Sequence, residues 1–465
     1  MVRIGRYLLL SVLFVFVFSL PALAVDASEL ADKAKKTVEA VAEGMEAVTD
    51  KITSEVQDFK DEMKKDDMKK EESPKIDTEK TKLAAGAVNA FALSLYGELA
   101  QKEQGNLFFS PYGILSALGM TYAGAGGATA EEMEKALHIP GYDIHASMGA
   151  LMSRFDGIPE DIGALAVANR IWLADGEKLR YPYLKLLRDD YKSDVTVLDF
   201  AKDAETSRKT INNWVEEKTG DRIKDLLQSG DVNRDTLLVL TNAVYFNSLW
   251  RFPFDAKDTK PLPFYMEKGK SEDVPTMYRE ERFSYNDVDG VQLAKLPYRI
   301  PGLSMLILLP KATEKFDQLQ VLEKKLAANN GLDTLVGWIA GMKTQRLNVW
   351  LPKFKEEQRF SLNENLEALG MKKAFGEEAD FSGMLEANKT RGNLPVYINS
   401  VIHQTFVAVD EEKTEAAAAT AVTIQKMSLA LPEDTADFRA DHAFLYLIMD
   451  DVTGTVLFIG RQTFN

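Results

Sequence analysis

None of the 465 residues is a cysteine, so no covalent staple holds this chain together and its fold must rest on an apolar core. The same absence removes thiolate nucleophiles and cysteine-based zinc or iron–sulfur sites. Four histidines, His138, His145, His403 and His442, lie far apart without the HExxH spacing of a zinc hydrolase, and no cofactor is expected. The formal net charge of −15 repels phosphate backbones and argues against a nucleic-acid partner. With 45% hydrophobic and 27% charged residues, the composition is that of a globular protein.

Residues 1–24 read as a secretory signal. Arg3 and Arg6 form a basic start, Leu8 to Leu20 an apolar core, and Ala22-Leu23-Ala24 a small-residue cleavage site. The apolar core is shorter than the roughly 20 residues of a membrane span, and an uncleaved anchor is the rival reading. The mature protein is therefore expected outside the cytoplasm: secreted or extracellular, or periplasmic in a two-membrane bacterium. Membrane attachment after cleavage is not expected.

Residues 25–83 form a charged tail and linker with no tryptophan or tyrosine. Ala34, Val38, Val41, Met45, Val48, Ile52, Val56, Phe59 and Met63 step by threes and fours, with a stutter between Ile52 and Val56. A solvated, partly helical tail and a coiled coil that self-associates through residues 34–63 both fit this pattern. Ser73-Pro74 breaks it.

Residues 84–465 form the globular body, with no repeat or low-complexity run. Val88, Phe91, Ala92, Leu95, Tyr96 and Leu99 share one helical face. Thr129-x-x-Glu132 and Ser361-x-x-Glu364 have the form of capping boxes, and Gly370 the form of a helix stop. Strands are predicted over Leu237 to Phe246, Leu303 to Leu309, Leu347 to Leu351 and Val396 to Val409, and a hairpin joins Phe444–Met449 to Thr455–Ile459. Helices and strands mix without βαβ alternation, which favours an α+β fold.

Catalytic motifs are scarce. Ala123-Gly124-Ala125-Gly126-Gly127 lacks the ending of a phosphate loop and reads as a connection between helices. No GxSxG elbow occurs. His403, inside a β-rich stretch, reads as a hydrogen-bonded core histidine. No enzyme activity is expected.

One segment conflicts with itself. From Glu411 to Ala421 the chain is alanine-rich and favours helix. Yet Thr414, Ala416, Ala418, Thr420, Val422 and Ile424 form one period-two set, and Glu415, Ala417, Ala419, Ala421, Thr423 and Gln425 form the other. That is a half-buried strand built from residues small enough to pass between existing strands. A surface alanine helix is the rival reading. Such conflict between propensity and pattern is expected where a segment has two conformations.

At this segment the sequence resembles the hinge and reactive-centre loop of the serpin family, and the likeness runs over residues 84–465. It is carried by Asn106-Leu-Phe-Phe-Ser-Pro111, Ala168-Asn-Arg-Ile-Trp172, Ile211-Asn-Asn-Trp-Val-Glu-Glu-Lys-Thr219, Leu240-Thr-Asn-Ala-Val-Tyr-Phe246, Leu351-Pro-Lys-Phe354 and Ala379-Asp-Phe-Ser-Gly383. The resemblance implies three β-sheets, about nine helices and an exposed loop that serves as protease bait. It implies a suicide substrate. A serine protease attacks the loop, forms a covalent acyl-enzyme, and is carried away as the loop enters the central sheet. A non-inhibitory serpin acting as a binding, carrier or chaperone protein is the alternative.

By resemblance, the hinge comprises Glu411, Glu412, Lys413, Thr414, Glu415, Ala416, Ala417, Ala418 and Ala419. The reactive bond falls between Met427 and Ser428, with Lys426 as the alternative reactive residue. Ser110, Asn242 and His403 match the shutter, the polar cluster beneath the central sheet. Three departures stand out. Gly113 replaces a second shutter serine, which implies a thinner network. Lys413 replaces the usual hinge glycine, where backbone freedom eases insertion. Ala443 replaces a proline, with little expected consequence.

Overall fold

The computed structural model describes residues 78–159, 161–266, 269–311, 318–386, 396–411 and 435–464. The expected signal, the tail before Thr78, the expected hinge residues 412–419 and the residues of the expected reactive bond lie outside them.

The body opens with helix α1, Thr78–Lys102, six residues ahead of the expected start at Ala84. This helix is long and apolar enough to cross a bilayer. Its predicted face is instead packed into the core, with Val88, Phe91, Ala92 and Leu95 fully buried. Nine α-helices occur among the described residues.

A five-stranded sheet runs β10 (Phe354–Ser361), β11 (Ser400–Val409), β4 (Leu238–Ser248), β2 (Gly163–Ala174), β3 (Val195–Leu198). The central strands are rich in β-branched and aromatic residues, and β4 and β11 are buried along nearly their whole length. Continuous apolar runs of this kind suit strands covered on both faces. On one face, α6 (Ala204–Lys218) sets Ile211 and Val215 in a core cluster with Trp172, Val239 and Ala243. Asp203 caps α6 by accepting from the Thr206 N–H (3.0 Å). On the other lies α2 (Pro111–Tyr122), every residue of which is buried.

The remaining strands form a nine-stranded sheet. The three-sheet expectation is met through one shared strand. β6, Ser271–Val288, pairs with β5 (Lys260–Tyr265) and β9 (Lys343–Pro352) along most of its length. At its far end it pairs with β7 (Val291–Pro297), which leads through β8 (Leu303–Pro310) and β13 (Phe444–Asp450) to β14 (Thr455–Gln462) and β1 (Leu107–Phe109). β12, Ala436–Arg439, pairs parallel with β9.

Neither capping box forms. Helix α3 begins at Gly127 with Gly126 as its cap, and Thr129 Oγ1 accepts instead from the Asp380 N–H (2.9 Å). Glu132 accepts from the Lys372 and Lys373 N–H groups at 2.8 and 2.7 Å. Ser361 stays in the ladder opposite Ile402, and α9 starts only at Asn363. Tertiary partners outbid the local cap in both places. Gly370 does follow α9, with φ +106°. The 123–126 segment links two helices as expected.

Candidate functional site: the closed seam of the central sheet

Strands β4 and β11 are neighbours and run parallel, with Ser400 opposite Val239 through to Phe406 opposite Tyr245. Their flanking partners, β2 on β4 and β10 on β11, are antiparallel. A strand entering between β4 and β11 could therefore pair antiparallel with both, as the sheet's other contacts prefer. The chain leaves β11 at Asp410 and Glu411, immediately ahead of the alanine-rich segment.

The polar groups under this seam form one connected set. His403 and Asn242 face each other in register across it. His403 Nδ1–H donates to Asn242 Oδ1, and His403 Nε2 accepts from the Ser110 N–H at 3.0 Å. Ser110 Oγ donates to the Leu457 carbonyl (2.7 Å) and accepts from the Gly113 N–H (3.0 Å), which caps α2. Thus Ser110, Asn242 and His403, singled out from the sequence, are brought together. All three side chains are fully buried. Burial pushes the His403 imidazole down to about 3, partly opposed by its bond to Asn242, so the ring is neutral and each nitrogen has one role.

The expectation of a thinner network at Gly113 is corrected. A Cβ there would lie 2.4 Å from Val244 Cγ2 and 2.9 Å from Asn242 Nδ2, so the site has no room for a serine side chain. Asn242 instead passes its amide to Asn169 Oδ1. Asn169 Nδ2 donates to Ser116 Oγ (2.5 Å), which donates to the Gly113 carbonyl (2.8 Å). Asn169 and Ser116 were missed. Asn169 lies opposite Asn242 in the antiparallel β2–β4 register, and strand register is not readable from one sequence.

A second cluster closes the top of the seam. Glu411 Oε2 accepts from Lys353 Nζ (2.6 Å) and Oε1 from Thr259 Oγ1 (2.8 Å). The Glu411 carbonyl accepts from the Phe254 N–H (2.9 Å), and the Asp410 carbonyl from Trp250 Nε1 (2.8 Å). Trp250 in turn stacks on Tyr298, with centroids 4.5 Å apart. Burial pushes the Glu411 carboxyl up, but Lys353 and Thr259 outweigh it and hold the group below its ordinary value. Of the expected hinge residues, Glu411 alone is described, and it is held by Lys353, Thr259 and the Phe254 N–H. The sequence contained no spacing signal for Lys353 or Thr259, which lie 58 and 152 residues from Glu411.

No group of metal-ligating side chains occurs among the described residues. The site comprises a closed parallel seam, a neutral hydrogen-bond set beneath it and an ion pair at its exit. The sequence profile described as Serpin (serine protease inhibitor) matches residues 86–463. The chain is 37% identical over 392 residues to the leukocyte elastase inhibitor of Sus scrofa, covering 81% of this chain and 98% of that one. It is 35% identical over 385 residues to a serpin-like protein of Methanosarcina acetivorans, covering 81% and 87%. Among solved structures, Serpin48 of the insect Tenebrio molitor superposes with a TM-score of 0.70 at 31% identity, covering 82% and 98%. Closed five-stranded sheet, matched profile and full-length relatives agree: the chain belongs to the serpin family of serine protease inhibitors.

Proposed function

We propose that this chain is an exported suicide-substrate inhibitor of serine proteases with chymotrypsin-, elastase- or subtilisin-like pockets. One observation carries the reading: β4 and β11 lie closed and parallel, and β11 feeds directly into a segment whose small residues alternate as a strand. Closed, the sheet is held by a barrier. Entry of a strand would satisfy backbone groups on both sides and deepen the fold, so the uncleaved form is kinetically stable. The protease attacks between Met427 and Ser428 and becomes covalently attached. Insertion of 412–427 then carries it across the sheet before deacylation. Ser110, Asn242 and His403 act as a shutter, exchanging hydrogen-bond partners as the seam parts. The chain performs no catalysis in this scheme. Homologues named leukocyte elastase inhibitor support the choice of pocket class.

Lys413 favours a second reading, a non-inhibitory binding, carrier or chaperone serpin, because a lysine in place of a hinge glycine slows the first step of insertion. One gel decides between them. The protein is mixed with chymotrypsin-, elastase-, subtilisin- and trypsin-like proteases, and denaturant-resistant complexes are sought. Cleavage of the loop by every protease with no stable complex would remove the inhibitor reading.

A further inference from the structure

Among the described residues, β10 is the edge strand of the five-stranded sheet, paired on one side only, with β11. It alternates Phe354 in, Lys355 out, Glu356 in, Glu357 out, so that a carboxyl group is buried under the sheet edge. Glu356 is 7% exposed. Its Oε1 accepts from Asn106 Nδ2 (2.7 Å), and the Asn106 amide is fixed in that orientation because Oδ1 accepts from the Thr463 N–H (2.8 Å) and Oγ1 (2.9 Å). Two residues on, Gln358 Oε1 accepts from the Phe108 N–H (3.0 Å) and Gln358 Nε2 donates to the Asn106 carbonyl (2.7 Å). These bonds tie the edge strand to the neighbouring sheet.

Three elements face the carboxyl group. Asn106 stands just ahead of β1, Tyr446 comes from β13 and Gln462 from β14. Tyr446 Oη and Gln462 Oε1 are buried without a hydrogen-bond partner among the described residues. No cation among the described residues pairs with Glu356. Arg461, beside Gln462, is committed to Glu323 and the carbonyls of Glu103 and Gly105. The surroundings suit two states of one carboxyl. Gln462 can donate Nε2 to the carboxylate or, with its amide turned, accept the acid O–H on Oε1. Ionisation without a cation is opposed by burial, which pushes the group up to about 7 against the bonds from Asn106 and Gln462.

We propose that Glu356 is a proton-controlled latch on the edge of the central sheet: as the acid it holds β10 against β1 and β14, and as the carboxylate it loosens β10 and eases the parting of β11 from β4. A carboxyl raised by folding stabilises the closed form fully below its ordinary value of 4.5 and loses that contribution as pH rises through its folded value. The consequence for loop insertion rests on the function proposed above; the latch itself does not, and it can be read on the uncleaved protein without a protease.

The test is amide hydrogen exchange of β10 and β11 from pH 6 to pH 8, corrected for intrinsic rates, in the wild type and in Glu356→Gln. Dividing the two opening constants at each pH cancels any contribution from the other groups nearby, the lowered His403 on β11 and the raised His442 near β13. The wild-type to variant ratio is expected to rise about tenfold over that range. A flat ratio overturns the latch. Should Glu356→Gln not fold, Gln462→Lys supplies a cation that can only donate to the carboxylate and shifts the transition to lower pH. An unshifted transition in that variant overturns the latch as well.

Discussion

Glu411 and Lys353 form a 2.6 Å ion pair at the point where the chain leaves the closed seam. Lys353 is the single residue between β9 of the nine-stranded sheet and β10 of the five-stranded one, and Glu411 follows β11, so the pair fixes the end of β11 at the junction of the two sheets. The Glu411 side chain is 13% exposed and also holds Thr259, which makes this pair stronger than a free surface bridge.

Lys353→Met should therefore leave Glu411 buried with one partner. A loss of roughly 1–3 kcal/mol is expected for a charged hydrogen bond removed from one side. Differential scanning calorimetry of the uncleaved protein should show a lowered midpoint. The cleaved protein should change little. Equal losses in both forms would show that the pair supports the fold in general rather than the closed seam.

Gly113→Ser tests whether the site favours or excludes the hydroxyl that the family resemblance suggests. With Val244 Cγ2 2.4 Å from the added Cβ, the neighbour must move. Overpacking of about 1–3 kcal/mol is expected, with Asn242 displaced from His403. A stabilised variant would mean that α2 shifts readily and that the seam network accepts another member.

The His403 ring sets an acid limit. Its folded value lies near 3 and its ordinary value at 6.5, so the unfolded chain takes up the proton first. The stability tied to the neutral ring is complete above about 6.5 and is lost as pH falls from there towards 3. Nitrogen NMR should find Nδ1 protonated and Nε2 bare at pH 5. A doubly protonated ring at that pH contradicts the hydrogen-bond assignment.

Much of the fold was legible because it depends on local period and residue type. The buried face of α1, the strands β4, β8, β13 and β14, and the stop at Gly370 all follow from patterns within a few residues. The capping boxes failed because Thr129 and Ser361 had better partners 251 and 41 residues away, Asp380 and Ile402. In the candidate site, Ser110 and Asn242 were found through resemblance alone, whereas the β-rich surroundings of His403 already marked it as a hydrogen-bonded core histidine. Asn169, Ser116, Lys353 and Thr259 were invisible for the same reason that β6 could not be seen to serve two groups of strands. Each depends on a register or a crossing that only the folded chain defines.

Thr414→Arg should convert an inhibitor into a substrate. The period-two pattern places Thr414 in the set expected to turn inward when the segment enters the sheet. An arginine there would bury an unpaired cation, at a cost of several kcal/mol during insertion. Loop cleavage should continue while the yield of covalent complex collapses. An undiminished yield would put Thr414 on the outer face.

By the serpin resemblance, the proposed reactive bond falls sixteen residues after Glu411, between Met427 and Ser428. Methionine offers a long, unbranched apolar side chain suited to chymotrypsin-, elastase- and subtilisin-like pockets, whereas a trypsin-like pocket with a buried carboxylate selects lysine or arginine. Lys426 is the competitor, one residue earlier. Oxidation separates the two. The sulfoxide of Met427 is polar and bulkier, so association with an elastase-like protease should slow by on the order of tenfold if Met427 enters the pocket. Trapping through Lys426 should be unaffected by the same treatment. Mass spectrometry of the peptide released on trapping reads the register directly. Ser428 is the expected new N-terminus, and a peptide beginning at Met427 would move the bond to Lys426 and the target class to trypsin-like proteases.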